Sequence, residues 1–131
     1  MKILAIDYGE KRTGLAIGDS SGKLAVPFGV LKESRVELLI EKIKKIIKEE
    51  EIDHLLVGEP KSLTGGQSSQ TIKVQNFVKQ LRAQLNIKVI TLDERFTTKR
   101  ALGPSVAPTR QRDELAAMYL LQDYLDSLNL V

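Results

Sequence analysis

The first thirty residues constrain the fold most, because they contain three short apolar segments joined by short polar links. We predict strands at Lys2–Asp7, Thr13–Asp19 and Leu24–Leu31. Glycine and serine residues occupy the links between them, as is typical of turns. Links this short connect antiparallel neighbours, whereas parallel strands need a longer crossover. The chain is therefore predicted to open with an antiparallel meander.

A helix is predicted next, because Ser34 and Glu37 match the S-x-x-E pattern of a capping box. Apolar residues then recur at helical spacing. The later elements alternate: a strand with its core at Leu55–Val57 that ends in Gly58, a helix between Ile72 and Leu85, a strand at Ile87–Leu92 and a helix from Asp113. The order βββαβαβα, without an internal repeat or linker, indicates one α/β domain over residues 1–131. Its mixed five-stranded sheet would be flanked by helices.

Composition limits the chemistry that the chain can perform. Its 131 residues suit one domain with its own core. The absence of cysteine excludes a thiolate metal site and a cysteine nucleophile, and a single histidine excludes a two-histidine zinc site. Any bound metal must therefore be held by oxygen ligands, which favours Mg²⁺ or Mn²⁺.

Charge and hydropathy bear on partners and location. A net charge of +3 permits a polyanionic partner without requiring one. There is no signal peptide, and no apolar run is long enough to span a bilayer. We therefore expect a cytoplasmic protein with no membrane partner.

Acidic residues fall where predicted elements begin or end. Asp7 closes the first strand, Asp93 and Glu94 follow the fifth, and Asp113 stands at the start of the last helix. Such positions can converge at one edge of an α/β sheet, where open folds bind ligands. Clustered carboxylates repel each other unless cations neutralise them. Two divalent cations in such a cluster can orient a water and stabilise a leaving oxygen in phosphodiester cleavage.

Each acid also has an ordinary structural interpretation. Asp113 could be an N-cap or a first-turn acid of its helix. Asp93 could be a turn residue, and Glu94 could pair with Arg95 or Arg100. Asp7 is harder to explain this way, because it ends an apolar run and has a glycine two residues later.

A basic cluster precedes the last helix. Cations that neutralise phosphates supply most non-specific affinity for nucleic acid. This cluster is the best candidate for a nucleic-acid contact, although a solvated loop remains an alternative. Its members are Lys99, Arg100, Arg110 and Arg112.

Four motifs occur in an order that resembles a known family. They are IDYGEKRTGLAIGD, VGEP followed by TGGQSSQT, DERFTT, and RDELAAMYLLQDYLD. Together they are similar to the YqgF family of Holliday-junction-resolvase-like proteins, whose bacterial members are described as pre-16S ribosomal RNA nucleases. The resemblance runs from Met1 to about Leu128 and implies a ribonuclease-H-like fold, in agreement with the element order.

The resemblance also implies a set of site residues. Asp7, Glu94 and Asp113 would hold one or two divalent cations, Mg²⁺ or Mn²⁺, over a scissile phosphate. Arg12 and Arg95 would contact a backbone phosphate or steady the site. Each of these arginines could instead form a structural ion pair with the same acids.

Glu59 departs from the family pattern, which commonly has an apolar residue between the glycine and the proline of V-G-x-P. In related resolvases the second catalytic acid comes from the end of the fourth strand, close to Glu59. Glu59 is therefore a candidate for an additional or alternative ligand, although Glu94 is favoured because it lies inside the more specific motif DERFTT. The loop Lys61–Gln70 could cradle phosphates or could be an ordinary surface loop.

The predicted function is metal-dependent endonuclease activity on structured nucleic acid, in particular processing of the 5′ end of pre-16S rRNA. The alternatives are a Holliday junction resolvase acting on branched DNA, a non-catalytic nucleic-acid-binding module, and an actin-like ATPase or kinase suggested by the D-x-G of Asp7. Ribosomal particles are partners that the resemblance implies. We expect a monomer or a weak dimer.

Overall fold

A computed structural model of the protein describes residues 1–22, 24–60, 69–93 and 109–128, with side chains in the last range from 113 onward. Five strands and three helices follow one another in the predicted order βββαβαβα. No helix within these ranges combines the length and apolar character needed to cross a bilayer. The elements are β1 (Lys2–Asp7), β2 (Thr13–Asp19), β3 (Ala25–Leu31), α1 (Val36–Glu50), β4 (His54–Glu59), α2 (Ser69–Gln84), β5 (Lys88–Asp93) and α3 (Thr109–Leu128).

The strands form one mixed sheet in the order β3-β2-β1-β4-β5. Short links make β1, β2 and β3 antiparallel, as predicted. The helices α1 and α2 are crossovers, so β1, β4 and β5 run parallel. The carboxyl ends of these three strands therefore share one edge of the sheet. Asp7, Glu59 and Asp93 are their last residues.

Each face of the sheet has its own core. Successive side chains of a strand point to opposite faces, and β1 follows this rule. Leu4 and Ile6 belong to the core cluster that includes α1 and α2, whereas Ile3 and Ala5 belong to the cluster that includes α3. The sheet is thus a middle layer, with α1 and α2 on one face and α3 on the other.

The start of α1 corrects the predicted capping box. Arg35, with extended φ −92° and ψ 120°, is the N-cap residue, and no side chain caps the helix. The Glu33 carboxylate accepts a hydrogen bond of 3.2 Å from the Arg35 N–H. That contact holds Arg35 extended, so the helix begins one residue later than Ser34 as N-cap would require. The S-x-x-E prediction for Ser34 and Glu37 is therefore wrong.

The turn after β2 lowers the pKa of Asp19, and this leads to a prediction about stability at low pH. Asp19 Oδ1 accepts hydrogen bonds from Ser21 Oγ at 2.6 Å and Ser21 N at 2.9 Å, and the N-terminal ammonium lies 3.4 Å away. The hydroxyl first, then the amide and the ammonium, lower the pKa of Asp19 to about 2. Folding therefore favours the carboxylate form of Asp19. This carboxylate stabilises the folded protein above about pH 4, and the stabilisation is lost as the pH falls through the pKa that Asp19 has in the folded state.

We expect an NMR titration of the Asp19 carboxyl carbon to give a pKa near 2, as set by its turn. In the Ser21→Ala variant the same pKa should rise, because the strongest hydrogen bond is removed. An ordinary pKa for Asp19 in the unmodified protein would contradict this description of the turn.

Candidate active site

Asp7 lies at the carboxyl end of β1, beside Gly14 of β2. Ala5 belongs to the core cluster on the α3 face, and strand alternation places Asp7 on that same face. The next residue, Tyr8, lies on the other face, where its ring stacks on Phe77 of α2 at 4.4 Å between centroids. Burial there raises the pKa of the Tyr8 phenol.

Gly14 lets α3 pack against the sheet at the level of Asp7. A Cβ atom at Gly14 would lie 2.0 Å from the Asp113 carbonyl oxygen and 2.5 Å from its carbonyl carbon. Only a glycine leaves room for this approach of helix backbone to strand. Because Gly14 is also the register partner of Asp7, the contact brings Asp113 next to Asp7.

The position of Asp113 within α3 corrects its predicted place at the helix start. The helix begins at Thr109, so Asp113 lies in the second turn and is neither an N-cap nor a first-turn acid. Both structural interpretations of this residue are therefore wrong. A carboxylate in the second turn gains little from the helix dipole, whose effect is confined to the first turn. Neither helix capping nor the helix dipole therefore explains why an acidic residue lies at this position beside Asp7.

Arg12 pairs with Asp113. The guanidinium Nε donates a hydrogen bond to Asp113 Oδ2 at 3.0 Å, and the two side chains keep 41% and 25% of their surface exposed. The ion pair anticipated for Arg12 is therefore present. A contact this exposed to water stabilises the fold weakly, so the pair bears more on the charge of the site than on folding.

The loop that carries Arg12 is held in place at both ends. Gly9 allows a tight turn, since a Cβ there would lie 2.3 Å from the Arg12 carbonyl oxygen. The Gly9 N–H donates to Thr13 Oγ1 at 3.4 Å. From α2, Gln70 Nε2 donates to the Tyr8 carbonyl oxygen at 3.4 Å.

An ion pair between Lys73 of α2 and Glu10 adds a further tie to this loop. Gln70, predicted as the end of a loop, lies instead in the first turn of α2. The roles of Gln70, Lys73 and Glu10 were not predicted, because they depend on the packing of α2 over the loop.

Glu59 faces away from these two aspartates. Leu56 belongs to the α3-side core and Val57 to the opposite core, so alternation places Glu59 on the face covered by α1 and α2. Its Oε1 accepts a hydrogen bond of 3.1 Å from Gln75 Nε2 of α2. It lines a groove of about 410 Å³ between α2 and β5, together with Lys79, Arg82 and Thr91. Glu59 is thus separated from Asp7 and Asp113 by the sheet.

Most of the other predicted site residues lie outside the described part of the chain. Arg110 and Arg112 belong to α3, but their side chains are not among those described. The ion pairs predicted for Glu94 also lie outside the described residues. The same is true of residues 61–68 of the predicted loop Lys61–Gln70. The residues that fall in the segment after β5 are Glu94, Arg95, Lys99 and Arg100.

The donor set near Asp7 suits a hard divalent cation. The side chains of Asp7 and Asp113 offer carboxylate oxygens, which are the ligands that Mg²⁺ and Mn²⁺ prefer. The single histidine, His54, begins β4 beside Ile3 and therefore lies toward the other end of the sheet. Within the described ranges, no three acidic or histidine side chains come together as a metal cluster. The carboxylates of Asp7 and Asp113 have the chemistry of metal ligands, but among the described residues they fit only part of a metal site.

Comparisons with known proteins identify the family of the chain. A family model described as "RuvX: Holliday junction resolvase" matches residues 1–127. A relative from Thermoanaerobacter pseudethanolicus, named "Putative pre-16S rRNA nuclease", is 38% identical over 135 residues and 97% of each chain. A relative of the same name from Dictyoglomus turgidum is 36% identical over 99% of this chain and 97% of its own.

Solved structures show the same fold at low sequence identity. Thermus thermophilus RuvC in complex with a Holliday junction substrate superposes with a TM-score of 0.63 and 16% identity, covering 99% of this chain and 96% of RuvC. Fowlpox virus resolvase with its junction DNA gives a TM-score of 0.62 and 18% identity, covering 98% and 99%. These structures confirm the ribonuclease-H-like architecture. The family model and the curated relatives show, in agreement with the motifs, that the chain belongs to the RuvX family of Holliday junction resolvase-like proteins.

Proposed function

We propose that this protein is a metal-dependent endonuclease that hydrolyses phosphodiester bonds in structured nucleic acid, with the 5′ end of pre-16S rRNA as its substrate. The observation that supports the proposal is the close contact of Gly14 with the Asp113 backbone, because Gly14 is also the register partner of Asp7. The names of the curated relatives support the choice of RNA.

The proposed ligands are Asp7, Asp113 and Glu94, which follows the last residue of β5 in sequence. A bound Mg²⁺ or Mn²⁺ would polarise the scissile phosphate and lower the pKa of an attacking water. Asp7 and Asp113 come from two different elements, β1 and α3, so their spacing is fixed by the packing of helix on sheet. That rigidity is what a site needs to hold a phosphate in one orientation.

Basic residues would hold the nucleic acid at this edge. Arg12 is already beside Asp113, and its guanidinium can form two parallel hydrogen bonds to a phosphate. The other proposed contacts are Arg95, Lys99, Arg100, Arg110 and Arg112. We further propose that residues 1–131 act as one nuclease domain in the cytoplasm, on RNA in ribosomal particles, as a monomer or weak dimer.

Holliday junction cleavage is the second candidate. The family model is described as a junction resolvase, and both structural neighbours were solved with junction DNA. Resolvases must cut two strands symmetrically and therefore act as dimers. A stable dimer in sedimentation measurements would favour this candidate over the RNA nuclease.

A cleavage assay separates the two candidates. Labelled pre-16S RNA and a labelled four-way DNA junction are incubated with the protein in Mg²⁺, in Mn²⁺ and in EDTA. We expect metal-dependent cutting of the RNA near the mature 5′ end and no cutting in EDTA. Metal-dependent cutting of the junction alone would select the resolvase, and binding of either substrate in EDTA with no cleavage in any metal would support a non-catalytic module.

A further inference from the structure

The Arg12 guanidinium lies against the carboxylate that the proposed function assigns to the metal. Its Nε is 3.0 Å from Asp113 Oδ2. A divalent cation that binds this oxygen is attracted by the same negative charge and is repelled by the guanidinium. Arg12 and the metal are therefore competitors for Asp113.

The backbones on both sides of this contact are fixed. The turn from Gly9 to Arg12 is closed so tightly that Gly9 has no room for a Cβ, and the Gly9 N–H is held by Thr13. On the other side, the Asp113 backbone is packed against Gly14. The long and partly exposed side chain of Arg12 can leave Asp113 without any rearrangement of the loop or the helix.

We propose that Arg12 is the built-in counter-ion of the metal-free site and that a divalent cation displaces it from Asp113. This inference rests on the proposed function, since it takes Asp113 to be a metal ligand. Without metal, Arg12 balances the charge of the Asp113 carboxylate, with which it forms an ion pair. Once displaced, its guanidinium stays at the edge of the site with its donors available to a phosphate.

The exchange couples metal and nucleic acid. A phosphate that pairs with Arg12 withdraws it from Asp113 and so favours metal binding. By linkage, the metal strengthens nucleic-acid binding to the same extent. The site would therefore load its metal most readily when the nucleic acid is present.

The test measures Mn²⁺ affinity by titration calorimetry in the unmodified protein and in Arg12→Gln. We expect Arg12→Gln to bind Mn²⁺ about fivefold more tightly, the most that a partly exposed ion pair contributes. Lys11→Gln is the matched control, because it removes the same charge from the exposed neighbouring position. Arg12→Lys keeps a tethered cation and should bind Mn²⁺ less tightly than Arg12→Gln.

Thermal melting without metal provides a second readout. Arg12→Gln should melt below the unmodified protein in EDTA and gain more from added Mn²⁺. The inference is overturned if Arg12→Gln binds Mn²⁺ no more tightly than Lys11→Gln does. If Asp7→Asn and Asp113→Asn both keep the Mn²⁺ affinity of the unmodified protein, the proposed metal site is overturned instead. If neither the unmodified protein nor Arg12→Gln binds Mn²⁺, the metal site and the role of Arg12 are both overturned.

Discussion

Replacement of Gly14 by alanine is expected to destabilise the protein and to inactivate it together. The new Cβ would lie 2.0 Å from the Asp113 carbonyl oxygen, and the neighbouring atoms in its way are helix backbone. Helix α3 must therefore move away from β2 by about 1 Å or more. Overpacking of this kind costs about 3 kcal/mol in the free energy of unfolding, and a 1 Å displacement of a site residue lowers the cleavage rate roughly a hundredfold.

Gly22→Ala is the matched control for this prediction. A Cβ at Gly22 would lie 3.6 Å from the nearest neighbouring atom, the Asp19 carbonyl oxygen, which is an ordinary contact. Chemical denaturation and the cleavage assay should therefore show little change for Gly22→Ala. If Gly14→Ala behaved like Gly22→Ala in both measurements, the close packing of α3 on β2 would be wrong.

Asp7→Asn is expected to remove cleavage while leaving the fold intact. Loss of a group that only supports a metal ligand costs about 10–100-fold, so loss of a ligand itself should lower single-turnover cleavage by at least about a hundredfold. Asparagine has nearly the same shape as aspartate, and removing one of two neighbouring negative charges relieves repulsion. The free energy of unfolding should therefore stay close to that of the unmodified protein.

Glu59→Gln provides the matched control, because it makes the same change of charge at the end of the neighbouring parallel strand. Glu59 lies on the opposite face of the sheet, where it accepts a hydrogen bond from Gln75. We expect its cleavage rate to stay within about threefold of the unmodified protein, which is a small effect on the barrier. A large loss in Glu59→Gln with normal activity in Asp7→Asn would move the site to the α2 face.

The order of elements could be predicted because hydrophobic period and link length are local properties. Short links specify the antiparallel meander, and the helices between later strands specify the parallel half of the sheet. The approach of Asp113 to Asp7 was predicted from a helix start at Asp113, which is wrong; the two residues are neighbours because Gly14 of β2 leaves room for the second turn of α3. The Arg12 ion pair was anticipated as one of two roles for that residue.

The face of the sheet on which Glu59 lies could not be predicted, because side chains alternate between the two faces along a strand and the outcome depends on the exact register. A shift of one residue in a strand turns each side chain to the other face. The predicted strand had its core at Leu55–Val57 and ended in Gly58, whereas β4 continues to Glu59. Only the observed register places Glu59 beside α2 and away from Asp7.

Two helix starts were missed for similar local reasons. The Glu33 carboxylate holds Arg35 extended, which a capping pattern at Ser34 does not reveal. The last helix begins at Thr109, before the start at Asp113 that the spacing of its apolar residues predicted. The role of Gly14 had a signal in the sequence, namely a glycine inside a strand.

The most direct test of the metal site is a crystal structure with Mn²⁺, in which anomalous scattering locates the ion. We expect a peak within coordination distance of the carboxylates of both Asp7 and Asp113, with the Arg12 guanidinium no longer on Asp113 Oδ2. A peak beside Glu59 in the groove under α2, or an Asp7–Asp113 edge that stays empty at saturating Mn²⁺, would contradict it.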